Sequence, residues 1–149
     1  MIAVRQVASE SPETSTAPNR EAQKQRSLDQ ACEAARIMDE YRGQNTVVLD
    51  LTAITPIVDY FVITTGSSSR QMKAIAEEVH RAMKAQGSKR IGREGEESNT
   101  WLLQDFGDVV VHVFTPEARE LYDLEHLWAD APHIDWKTHC GVPVRDASA

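Results

Sequence analysis

The chain has 149 residues, with 16 Lys+Arg against 23 Asp+Glu and a formal net charge of −7. That is one domain's worth of chain, 41% apolar and 26% charged as globular proteins are, and its acidic balance excludes a simple coat for nucleic acid, whose affinity comes from Lys and Arg neutralising phosphates. Two cysteines, Cys32 and Cys140, are too few for a disulfide framework and point to a reducing compartment; no apolar run approaches the ~18 residues of a membrane span, and Met1 to Val7 open no secretory signal.

Residues 1–26 are rich in Ser, Thr, Pro, Ala and Glu, a composition that cannot offset the entropy of ordering, so a disordered tail is expected there. Its three acids argue against a transit peptide. Leu28, Ala31, Cys32, Ala35 and Met38 recur at helical spacing and predict a helix over Ser27 to Arg42, with Ser27 as N-cap and Gly43 as stop. On that stripe Cys32 reads as a small core residue. The β-branched runs Asn45–Leu51 and Asp59–Thr65 predict two strands, joined through Thr55-Pro56. Gly66 then breaks the chain, and Ser68 with Gln71 fits a capping box. Met72, Ile75, Ala76, Val79 and Met83 form the apolar stripe of a helix running to about Gln86 and stopping at Gly87. Lys89–Ile91 reads as a brief strand, Thr100–Gln104 and Val109–Phe114 as longer ones, with Asp105-Phe106-Gly107-Asp108 as the hairpin turn between them. Pro116 starts a helical segment to Trp128, and 132–149 read as an irregular tail. The resulting order, α-β-β-α-β-β-β-α over a domain spanning 27–131, is an α/β fold: a mixed sheet flanked by helices.

Charge is distributed unevenly along this order. Arg70 to Arg93 holds seven bases and two acids, whereas Glu94 to Asp130 holds ten acids and a single base, Arg119. Asymmetry of this size steers charged partners, and a basic partner should prefer the acidic stretch.

The sequence offers little catalytic chemistry. Gly66-Ser67-Ser68-Ser69, between a strand and a helix, presents backbone N–H groups and hydroxyls suited to phosphate, and a Gly-Ser at such a junction is shared with nucleotidyltransferases. Those enzymes need paired carboxylates on a following strand to hold metal ions; here the following segment, Ser88 to Arg93, is basic. A phosphate-binding enzyme using the Gly66-Ser67-Ser68 turn is therefore the alternative reading, against a plain helix cap. Asp105-Phe106-Gly107 matches the kinase magnesium tripeptide by letters only. The spacings of His126, His133, His139 and Cys140 fit no zinc module. His112, between Val111 and Val113, reads as structural, because no nucleophile or orienting partner can be assigned to it. Trp101 shares a strand face with Leu103 and Asp105. Turned outward, that face would set a Trp beside acids, a hot spot for a basic protein partner; turned inward, it is core. The alternation is compatible with both.

LDLTAITPIVDYFVITTGSSSRQMKAIAEEV, the Glu94-Gly95 leading to Trp101, DFGDVVVHVF, and the run Arg119 to Trp128 together resemble the ribosomal silencing factor (RsfS/Iojap) family, from about Leu28 to Asp130. The resemblance implies a nucleotidyltransferase-like topology without catalytic carboxylates, no reaction and no cofactor. It further implies binding to the large ribosomal subunit through a basic inter-subunit protein, the fourteenth in the large-subunit series, which blocks joining of the small subunit, lowering translation when nutrients are short or assisting subunit maturation. A cytoplasmic location is expected, with organellar targeting left open. Carried over by position, the partner-binding residues are Trp101 and Asp105, followed by Asp108, His112 and Arg119. Tyr122, Leu124, Glu125, Leu127 and Trp128 match the family's C-terminal signature by packing or by binding. Residues 1–26 and those after about Asp135 exceed the family pattern, and a dimeric interaction module, with the chain as a homodimer, is a further class to test.

Overall fold

The computed structural model describes residues 17–141, with side chains from Asn19 onward. The first helix, α1 (Ala17–Glu40), begins ten residues before the expected start. Residues 17–26 are thus helical and not part of a disordered tail; residues 1–16 lie outside the described range. Ser27 is not a cap but a buried residue inside the helix, its hydroxyl donating to the Gln23 carbonyl at 3.0 Å. What holds the extra turns is polar. Arg20 pairs with the buried Asp59 at 2.9 Å, and Gln23 Nε2 donates to Asp108 at 3.3 Å. No apolar periodicity announces those contacts, which is why the sequence alone places the helix start too late.

Ala31, Cys32, Ala34, Ala35 and Met38 are fully buried, so α1 packs closely through small side chains. Its end is a Schellman turn: Arg42 takes φ 69°, Gly43 N–H reaches the Met38 carbonyl at 2.8 Å and Arg42 N–H that of Asp39 at 3.0 Å. Gly43 is there for space, since a Cβ would stand 2.3 Å from Thr64 Oγ1.

β1 (Gln44–Asp50) and β2 (Tyr60–Thr65) pair antiparallel. α2 (Ser69–Ala85) begins on the Ser68 cap and buries Met72, Ile75, Ala76, Val79 and Met83, as their spacing predicts. β3 (Gly92–Glu94) lies three residues beyond the brief strand expected at 89–91. β4 (Trp101–Asp105) and β5 (Val109–Phe114) form the expected hairpin, and β5 is buried at all six positions. The sheet order is β3-β4-β5-β2-β1-β6, with β2–β5 the parallel pair and its other pairs antiparallel. Mixed topology lets β2 and β5 sit centrally and lie buried on both faces.

Two expectations about the C-terminal third need correction. The single helix over 116–128 is broken into α3 (Pro116–Tyr122) and α4 (Leu124–Leu127), because Asp123 adopts φ 46°. The tail from 132 is also ordered as far as it is described. Its strand β6 (His133–Ile134) pairs with Val48 and Leu49, and in α5 (Trp136–His139) the buried Trp136 donates to the Thr46 carbonyl at 3.1 Å. Residues 142–149 lie outside the described range.

The two sheet faces are covered unequally. One apolar cluster joins α1, α2 and Trp136 to Val48, Val62, Val111 and Leu102; the other gathers Leu49, Ile63, Trp101, Leu103, Val110 and Phe114 under only Ala118 and Leu124 of α3 and α4. Eleven residues of short helix thus roof the second face.

Candidate partner-binding surface

Strand register decides which residues share the thinly roofed face. Trp101 lies opposite Phe114, Leu103 opposite His112, and Asp105 opposite Val110, so all six side chains point to one side. The inward alternative holds for Trp101, which is 9% exposed. Its ring packs on Phe114 (centroids 4.7 Å) and Tyr122 (4.6 Å), and its indole N–H donates to His112 Nδ1 at 3.1 Å. His112 in turn meets Phe61 edge to face at 4.6 Å, and Phe61 meets Trp128 at 5.8 Å. A continuous aromatic layer runs across the sheet under α3 and α4. An exposed Trp101 standing beside acids is not what the structure contains.

His112 is 1% exposed, and burial pushes its imidazole down from 6.5 to about 3. It is neutral at physiological pH. Because Nδ1 accepts the indole proton, the ring's own proton sits on Nε2, which has no hydrogen-bond partner among the described residues. A general base needs access and a partner proton; this ring has neither and serves to orient Trp101.

The other predicted residues are likewise tied inward. Asp105 is 8% exposed, and its Oδ1 accepts the Gly107 N–H at 2.8 Å, closing the hairpin turn. Asp108, half-buried, gives its carbonyl to the N–H groups of Asp59 (2.8 Å) and Tyr60 (3.1 Å). Arg119 forks onto Glu125 (3.0 and 3.1 Å) and donates to Thr65 Oγ1 at 2.9 Å. This bidentate pair fastens α3 to α4 across the break at Asp123. Trp101, Asp105 and His112 are therefore brought together, while Asp108 and Arg119 hold the turn and the roof.

What lies at the surface is different. Leu121 and Leu127 are 76% and 70% exposed, and Tyr122 shows 39% of its area while stacked on Trp101. Beside Tyr122, the residues Glu94, Gly95, Ser98, Thr100, Trp101 and Leu103 line a shallow cleft of about 160 Å³. Glu94 is exposed at its edge, and the exposed Glu96 and Glu97 line a neighbouring hollow together with Arg93. Gly95 shapes the cleft edge: it takes φ 92°, and a Cβ there would stand 1.7 Å from the Trp101 carbonyl. Leu121 carries no signal in the sequence and Leu127 only its match to the family's C-terminal signature, because an unbroken helix over 116–128 would run their stripe into the core; the turn at Asp123 is what redirects them.

The Gly66-Ser67-Ser68 turn is already satisfied from within. Ser67 Oγ donates to Gln71 Oε1 at 2.7 Å, Ser68 Oγ accepts the Gln71 N–H at 3.1 Å, and Gln71 Nε2 reaches the Arg42 carbonyl at 2.9 Å. A Cβ on Gly66 would meet Met72 at 2.4 Å, so Gly66 serves packing against α2. Gln71 thereby joins the start of α2 to the end of α1, which is the plain helix-cap reading. Among the described residues no three His, Cys, Asp or Glu side chains are gathered as metal ligands, and no helix is long and apolar enough to cross a membrane.

Comparison with known proteins gives one answer. Residues 24–148 match the family model described as "Ribosomal silencing factor during starvation". The ribosomal silencing factor RsfS of Halalkalibacterium halodurans is 40% identical over 102 residues, 68% of this chain and 87% of the relative. A mouse relative, mitochondrial assembly of ribosomal large subunit protein 1, is 38% identical over 62% of this chain and 42% of its own length. The crystal structure of a Chromobacterium violaceum protein superposes with a TM-score of 0.63 at 39% identity, covering 70% of this chain and 85% of the other.

Proposed function

The chain belongs to the family of ribosomal silencing factors, and from that premise we propose that it binds the large ribosomal subunit and sterically keeps the small subunit from joining, so that translation falls. The partner on this reading is a basic protein of the inter-subunit face, the fourteenth of the large-subunit series. The observation that carries it is the composition of the α3–α4 side. There Leu121, Leu127 and Tyr122 stand exposed over an aromatic layer, Tyr122 borders the cleft that Glu94 lines, and Glu117, Glu120 and Asp123 are exposed beside them in the most acidic stretch of the chain. An apolar centre with a charged rim is the anatomy of a protein interface, and the acids select a basic partner and speed its arrival. The mouse relative's name, which places it in assembly of the large ribosomal subunit, supports the choice of subunit. The action is steric and takes place in the cytoplasm, without catalysis.

Trp101 and Asp105 act in this proposal from just beneath the contact surface. They hold Tyr122 and the β4–β5 turn in place, with His112, Asp108 and Arg119 supporting them. The test is sucrose-gradient sedimentation of the full chain with purified ribosomal subunits, comparing wild type with L121R/L127R. Wild type should travel with free large subunits and be absent from joined ribosomes, and the double variant, altered only at exposed positions, should stay at the top of the gradient. Equal co-sedimentation of both proteins would remove this surface from the interface, and wild type found on joined ribosomes would overturn the blocking role.

A further inference from the structure

The acidic cleft has a basic counterpart across the sheet. α2 exposes Lys73 and Lys84, and the approach to β3 adds Lys89, Arg90 and Arg93. Strand alternation sorts the signs. Arg93 lies opposite Gln104, whose amide reaches back to the Ala76 carbonyl of α2 at 3.0 Å, whereas Glu94, one residue on, lies opposite Leu103 on the cleft side. Alternation along the short edge strand β3 thus turns Arg93 and Glu94 to opposite sides of the sheet, although Arg93 also lines one hollow with Glu94, Glu96 and Glu97.

Three of these cations, Lys84, Arg90 and Arg93, act on one side chain. His80, packed near Phe106 with ring centroids 6.4 Å apart, is held below its ordinary range first by burial and then by Arg90, with Lys84 and Arg93 adding to the effect and Glu77 opposing it. Among the described residues no acidic side chain pairs with Lys84, Lys89 or Arg90, while Arg93 meets Glu96 only in an exposed contact at 3.3 Å.

We propose that this basic end of α2 and β3 seats on the phosphate backbone of RNA at the surface of the large subunit, while the acidic cleft takes the basic protein. The inference rests on the proposed function for its ribosomal setting. Its chemistry favours RNA over an acidic protein. Protein interfaces draw their affinity from buried aromatic and aliphatic anchors, yet among the described residues from Lys84 to Arg93 the one large exposed apolar side chain is Ile91. Lys and Arg without such anchors suit phosphates, whose contacts position a protein and carry no sequence information. Opposite charge on opposite sides also gives the molecule one orientation at a boundary where basic protein meets RNA.

The test uses the full chain and K84Q/K89Q/R90Q, all exposed or half-buried positions, with the charge-keeping K84R/K89R/R90K as control. Affinity for purified large subunits is measured across a potassium chloride series, with hydroxyl-radical footprinting of the RNA. The Gln variant should bind with a log K–log salt slope shallower by roughly 2, following about 0.7–0.9 per phosphate contact, and should lose an RNA backbone footprint that wild type and control share. A slope and footprint unchanged from wild type would overturn the proposal, and weaker binding with no RNA protected in wild type would assign the patch to an acidic protein instead. A bare RNA duplex of about 16 base pairs, long enough to present successive grooves, is titrated at low salt and read by anisotropy. Wild type that fails on subunits but binds this duplex through the three cations sinks the silencing reading and leaves the RNA surface standing; wild type that binds subunits through Leu121 and Leu127 but ignores the duplex does the reverse.

Discussion

The indole N–H of Trp101 donates to Nδ1 of His112 at 3.1 Å, diagonally across the β4–β5 pair and under Tyr122. This bond fixes the imidazole tautomer and makes a family-signature tryptophan part of the core. Trp101→Phe keeps most of the packing but leaves a fully buried acceptor unpaired, at a cost of about 1–3 kcal/mol. Trp101→Ala removes the ring from between Phe114 and Tyr122 and should cost about 3–5 kcal/mol. Urea unfolding of the two variants checks the order. Loss of ribosome binding by Trp101→Ala is interpretable only beside that stability measurement.

Acid should weaken the fold through His112. Its folded pKa is about 3 against 6.5 for the free side chain, so the unfolded chain takes up a proton that the native chain refuses. The stabilisation is complete above pH 6.5 and is lost as pH falls from there towards 3, at up to about 1.4 kcal/mol per pH unit. His112→Gln cannot titrate. The stability difference between wild type and this variant, followed from pH 7.5 to 4, should change below 6.5 and stay level above it. A level difference throughout would show that His112 titrates normally.

Arg20→Met should destabilise both the start of α1 and the β2–β5 end of the sheet. It strips a buried carboxylate of its cation at 2.9 Å, and Asp59 Oδ2 already has no partner among the described residues. Breaking a fully buried pair costs about 3–5 kcal/mol; with the arginine side chain 32% exposed, roughly half of that is expected. The companion R20M/D59N should recover part of the loss, because no uncompensated charge remains. Hydrogen exchange should show residues 17–26 opening in Arg20→Met and protected in wild type.

Gly95→Ala should be disproportionately damaging for a surface loop. The residue combines φ 92° with a Cβ position 1.7 Å from the Trp101 carbonyl, so the β3–β4 connection must move. A loss of at least about 2 kcal/mol is expected from the backbone conformation and displacement together, with a shift of the Trp101 fluorescence reporting the altered cleft.

Much of this protein is written in local pattern. The stripe Met72, Ile75, Ala76, Val79 and Met83 is the buried face of α2, Val109–Phe114 is β5 residue for residue, and Ser68 caps α2 as its spacing with Gln71 predicts. These succeed because periodicity, capping and turn chemistry act over a few residues and agree with the global fold. The candidate surface was legible only in its charge and in its family signature. Whether Trp101 faced in or out, how Leu121 and Leu127 came to be exposed, and where α1 begins each depend on contacts between distant parts of the chain.

The sequence by itself determined an α/β domain with a mixed sheet, its central strands, its acidic third and its basic helix, and the family to which it belongs. Tertiary structure decided the rest. Arg20 is ordered by Asp59, thirty-nine residues away; β6 exists because β1 offers it an edge; and the roof breaks at Asp123, where Arg119 and Glu125 lock the two short helices together. In each case an ion pair or a strand edge supplies the free energy, and neither leaves a period in the sequence to be read.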